Sequence, residues 1–177
     1  FEYNVEYCLA YSYYVSHDVL SIILCKYLKK TALIKAKMAI FACIMKYNTA
    51  TLSNGLRVIH LPSTSSVVYC GYQIAAGSRN EREEEEGLAH FCEHVTFKGT
   101  EHRRAWNVLN CLESVGGDLN AFTNKEDTTY YAAILKRDFP RAVELLTDIV
   151  FHSTYPQSEV NKEVEVICEE IESYNDS

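Results

Sequence analysis

No Cys-x-x-Cys spacing occurs among the seven cysteines of this chain, Cys8, Cys25, Cys43, Cys70, Cys92, Cys111 and Cys168. Their odd number and scatter exclude a regular disulfide framework and weaken any reading as a thiolate zinc module. Several lie in apolar stretches, as Cys168 does beside Ile167, which reads as buried thiols in a reducing compartment. Cytoplasmic localisation is the resulting expectation. The chain also lacks a basic cluster beside aromatics, and its net charge is -7, which argues against nucleic acid as a partner. Long apolar runs are missing: Val19 to Cys25 is too short to span a bilayer, and Lys26, Lys29 and Lys30 follow that run instead of preceding it. Neither a membrane span nor a signal peptide is expected. Repeats and low-complexity linkers are absent too. What is present is ordinary globular material, 47% hydrophobic and 23% charged over 177 residues, enough for one sizeable core.

One boundary stands out near Met45, where a tyrosine-rich, poorly patterned stretch gives way to clear punctuation. Residues 1–44 begin without a methionine and are expected to be a leader outside the domain, read first as a spurious extension of the reading frame and second as a weak membrane anchor. Residues 45–177 are expected to form the domain. In it, Asn48 to Leu52 and Leu56 to Leu61 flank an Asn54-Gly55 turn and read as a hairpin. Further strands are expected near Val67 to Ala76, Asp118 to Thr123 and Thr128 to Leu135. Helices are expected at the His90 segment, near Arg104 to Val115 before the Gly116-Gly117 pair, near Asp138 to His152, and after Pro156. Strands in one block and helices in pairs predict an α+β fold, a mixed, largely antiparallel sheet packed against helices.

The chemistry concentrates in Gly87-Leu-Ala-His-Phe-Cys-Glu-His-Val-Thr-Phe-Lys-Gly99. On a helix, His90 and His94 lie about 40° apart on one face, so one metal ion can take both imidazoles. Glu93 lies about 60° to the other side of His90, beside a metal-activated water without being a ligand. Leu88, Phe91, Cys92 and Val95 project to the opposite side and can anchor the helix in a core, which leaves Cys92 out of the ligand set.

A zinc site with two histidines needs a third protein ligand and keeps its fourth position for water. The candidates lie in Pro156 to Tyr174, where Val160, Val164, Ile167 and Ile171 are spaced as one buried stripe. Glu163 and Glu170 flank that stripe on one line, whereas Glu165, Glu169 and Glu172 fall on a solvated face and Glu159 sits in the first turn. Periodicity does not say which of Glu163 and Glu170 is a ligand. The acidic run Glu81 to Glu86 reads first as a solvated loop, and otherwise as a charge favouring the N-terminus of the histidine helix or attracting cations. His102 and His152 read as surface or boundary histidines and His60 as a strand residue.

These motifs together resemble the inverzincin peptidases of the pitrilysin and mitochondrial-processing-peptidase family, in which His-x-x-Glu-His is followed some seventy to eighty residues later by a glutamate. The resemblance extends to Leu52-Ser-Asn-Gly-Leu-Arg-Val58, His94-Val-Thr-Phe-Lys-Gly-Thr100, Gly117-Asp-Leu-Asn-Ala-Phe-Thr123, Thr129-Tyr-Tyr-Ala132 and Glu163. It implies Zn2+ held by His90, His94 and Glu170, with Glu163 orienting a ligand imidazole. It also implies Glu93 as the general base of peptide-bond hydrolysis, and Asn120, Ala121 and Phe122 on an edge strand that pairs with an extended peptide substrate. Such ligands favour zinc without excluding manganese or cobalt.

Family members close two related halves around the substrate, so the resemblance makes residues 45–177 an N-terminal catalytic domain, incomplete at its C-terminus. A second homologous half or a partner subunit is implied. The alternative is a non-catalytic subunit or scaffold of the same fold. The presence of Glu93 favours a zinc endopeptidase, since a structural zinc site needs no adjacent base.

Overall fold

Two eight-residue strands rich in β-branched and aromatic residues, Val67–Ile74 and Thr128–Leu135, pair side by side in the sheet. The computed structural model describes residues 5–11 and 47–175. Its strands are β1 (Val5–Tyr11), β2 (Asn48–Thr51), β3 (Arg57–Leu61), β4 (Val67–Ile74), β5 (Asp118–Thr123) and β6 (Thr128–Leu135). Its helices are α1 (Leu88–Thr96), α2 (Ala105–Glu113), α3 (Phe139–Phe151) and α4 (Gln157–Asn175). The sheet runs β2-β3-β1-β4-β6-β5, antiparallel throughout except for the β1–β3 pair. This is the expected α+β fold with a mixed, largely antiparallel sheet.

The core follows from strand alternation meeting helix periodicity. Cys70 and Tyr72 of β4 lie opposite Ala132 and Tyr130 of β6, which places one set of side chains on one face. Ala142, Leu145, Leu146 and Ile149 recur along α3 at helical spacing and pack on that face together with Val108 and Leu112 of α2. Each buried leucine or isoleucine contributes about 1.5–3 kcal/mol through removal from water. α2 stops at Gly116, whose φ of +73° lets Gly116 and Gly117 donate back to the carbonyls of Glu113 and Leu112 at 2.9 Å each. The turn returns the chain to the sheet as β5.

Three expectations bear comparison with the structure. The stretch 1–44 is expected to stand apart; the structure describes only Val5–Tyr11 of it, which lie in the sheet between β3 and β4, and residues 1–4 and 12–44 fall outside the described residues. The physical reason is that β3 and β4 each offer a row of backbone donors and acceptors, which any extended segment can satisfy without a particular side-chain pattern. On α4, the apolar stripe is only partly covered and the most buried position lies beside it: Val160 and Ile167 are half-buried, Val164 is 48% exposed and Ile171 55%, while Glu163 is only 4% exposed. α4 turns Glu163 toward α1 because ionic and hydrogen-bonding partners await it there. Cys168 lies on the exposed side, against its reading as a buried thiol, whereas Cys70 is buried. Among the described residues, no helix is long and apolar enough to cross a membrane.

Candidate metal centre

α1 begins at Gly87, whose φ of +91° turns the chain sharply into the helix. The Glu81 carboxylate accepts from the Gly87 and Ala89 amides at 3.0 and 2.7 Å, satisfying free N–H groups of the first turn and placing a negative charge at the positive end. Of the readings of the acidic run, helix support therefore holds for Glu81. From this start, His90 and His94 fall one turn apart, their rings edge to face with centres 4.6 Å apart. Their Nε2 atoms approach to 3.1 Å.

Glu163 reaches α1 from α4. Its Oε1 accepts from His94 Nδ1 at 3.0 Å, and its Oε2 pairs with the Lys98 ammonium at 2.7 Å. Burial alone would raise the Glu163 pKa, but the bonds and charges of Lys98 and His94 outweigh it and hold the carboxyl below its ordinary range. An ionised Glu163 only accepts, so Nδ1 is the His94 nitrogen that donates to it, and Nε2 is left facing His90 and Glu170. A carboxylate oxygen of Glu170 lies 3.6 Å from that nitrogen.

His90, His94 and Glu170 thus each bring one donor atom within 4.8 Å of the others. Lone pairs converging on one point repel unless a proton or cation stands between them. Two imidazoles and a carboxylate are a donor set that suits zinc, so these residues fit such an ion. Cys92 is absent from this donor group, and burial followed by the Glu81 charge raises its thiol pKa.

Glu93 points to the sheet side, where the Thr123 hydroxyl at the end of β5 donates to its Oε2. β5 forms one edge of the sheet. Asn120, Ala121 and Phe122 all lie on it, and the Ala121 amide is held by the Asn120 side chain at 2.8 Å. A cleft of about 410 Å³, lined by Ser78, Glu81, Glu86, Gly87, His90 and Thr123, opens between this edge and the start of α1. The fold brings His90, His94, Glu163 and Glu170 together where α1 meets α4 and ties Glu93 to the end of β5, while Asn120, Ala121 and Phe122 lie along that strand. Lys98 and Thr123 are missed as contributors. Lys98 follows His94 by four residues, a helical spacing that could have revealed it, whereas nothing in the local pattern ties Thr123 to Glu93.

Residues 57–177 match the family described as Insulinase (Peptidase family M16). The chain belongs to this family. Over 129 residues it is 41% identical to the zinc protease YmxG of Bacillus subtilis, covering 72% of this chain and 31% of that protein. It is 46% identical over 121 residues to the mouse mitochondrial-processing peptidase subunit beta, covering 68% and 25% of the two chains. Bovine cytochrome b-c1 complex subunit 1 is 41% identical over 126 residues, with coverage of 71% and 26%. Among solved structures, the periplasmic protease PqqL from Escherichia coli superposes with a TM-score of 0.69 at 31% identity, over 75% of this chain and 16% of that one. A protease from Helicobacter pylori gives the same TM-score at 29% identity, over 71% and 31%. This peptidase-family chain spans about a quarter to a third of the length of the curated relatives named here.

Proposed function

We infer that this chain carries the catalytic zinc centre of an endopeptidase. The observation that carries the reading is the convergence of His90, His94 and Glu170 donor atoms within 4.8 Å, with Glu93 on the same helix as both histidines. In this reading His90, His94 and Glu170 hold the ion, and Glu163 fixes the tautomer and direction of the His94 ring. Zinc, when bound, polarises a peptide carbonyl and makes a water acidic enough to lose its proton near neutral pH.

The remaining chemistry falls to residues of the chain. Glu93 accepts the proton from the attacking water and delivers it to the departing amine, with the Thr123 hydroxyl steadying its carboxylate. An extended peptide adds to the free edge of β5 along Asn120, Ala121 and Phe122, so that main-chain hydrogen bonds set its register beside the metal. Closure over the substrate and exclusion of water call for a second homologous half or a partner subunit.

A scaffold role is the second reading, favoured by the similarity to a relative named as a subunit of the cytochrome b-c1 complex. Substituting Glu93→Gln in the natural full-length protein separates the two. Zinc content is expected to stay unchanged while peptide cleavage falls by about 10²-fold or more. Zinc-dependent cleavage that survives the substitution contradicts the peptidase assignment of Glu93, and a zinc-loaded wild type with no cleavage favours the scaffold.

A further inference from the structure

A second group of donors converges where the segment leaving α1 meets the end of α3. His102 lies in that segment, and Asp148 and His152 stand one turn apart on and just after α3. Asp148 Oδ1 accepts from His102 Nδ1 at 2.6 Å and lies 3.5 Å from His152 Nδ1. One ligand atom from each residue falls within 4.8 Å of the others, as in the His90 cluster. The two rings stand edge to face with centres 5.1 Å apart and planes at 83°, close to the 84° between His90 and His94. His152 Nδ1 is the one buried side-chain polar atom among the described residues without a hydrogen-bond partner.

The other oxygen of Asp148 is held separately. Thr100 donates to Oδ2 at 2.8 Å and Arg103 at 2.5 Å, while Arg103 also binds both oxygens of Glu144 at 2.7 Å. The carboxylate is thereby fixed with Oδ1 toward the imidazoles, and the Arg103 charge is shared between two carboxylates.

We propose that His102, Asp148 and His152 form a second site for a divalent transition metal, with zinc as its ligand. Zinc bonds of about 2.0–2.2 Å separate tetrahedral donors by roughly 3.3 Å. The 3.5 Å pair already suits that geometry, and the 2.6 Å pair opens by rotation of His102, whose side chain is 59% exposed. Binding releases the His102 Nδ1 proton to solvent, leaves a fourth position for water and gives the buried His152 nitrogen a partner. The ion pins the exit of α1 to the end of α3, two segments already joined by the Glu101 amide on the His152 carbonyl at 2.9 Å.

The test measures zinc stoichiometry of the full chain by equilibrium dialysis and elemental analysis. The double variant His90→Ala/His94→Ala is expected to retain one equivalent, and adding His102→Gln is expected to remove it. His102→Gln changes an exposed side chain, and circular dichroism checks that the fold persists; His152→Asn gives an independent second removal. Absence of zinc from the double variant, or zinc retained equally after His102→Gln, overturns the proposal. Neither result bears on the His90 centre, which is read separately as the equivalent lost between wild type and the double variant.

Discussion

Both carboxylate oxygens of Glu163 are engaged, one by the His94 ring and the other by the Lys98 ammonium. Replacing Glu163 with Gln keeps the shape but removes the charge that orients the imidazole. Zinc affinity, measured by chelator competition, is expected to fall about 10–100-fold; an unchanged affinity denies Glu163 that role. Asp148 gathers His102, Arg103 and Thr100 in the same manner. Burial would raise its pKa, but those three partners prevail and lower it. A depressed carboxylate stabilises the fold above its ordinary pKa and loses that contribution as the pH falls through its depressed value. Asp148→Asn, unfolded by denaturant with chelator present, is expected to lose about 3 kcal/mol at neutral pH and to show a weaker acid dependence. The histidine pair and Glu163 are legible from spacing and resemblance, since a helix turns sequence intervals into faces. Thr123 is not, because only the fold brings β5 against α1.

At the scale of elements, periodicity identifies each described helix and the strands after residue 47, but it misjudges the buried face of α4. An apolar stripe of Val160, Val164, Ile167 and Ile171 is a sound signal only where an apolar partner covers it. Here the network of His94, Lys98 and Glu163 sets the rotation of the helix instead. α1 shows another dependence invisible to periodicity: its first turn is capped from outside, by Glu81 through the Gly87 and Ala89 amides. Glu81→Ala is expected to cost about 1 kcal/mol, lowering the melting temperature by about 2–8 °C. A melting temperature equal to that of the wild type contradicts the capping assignment.

Across the whole molecule, the hairpin, the central strands and the α+β class can be read from turn residues and alternation. The position of Val5–Tyr11 cannot, because backbone pairing asks only for an extended segment. The sheet edge at β5 and the junction of α1 with α4 then frame the candidate site, with donors drawn from helices far apart in sequence. The central claim is that Glu170 is the third ligand and that its helical neighbour is not. The direct measurement is zinc affinity of Glu170→Gln and Glu169→Gln, each in a His102→Gln background. Loss of zinc binding is expected from the first and affinity equal to the His102→Gln background from the second; equal loss from both, or none from Glu170→Gln, contradicts Glu170 as the third ligand.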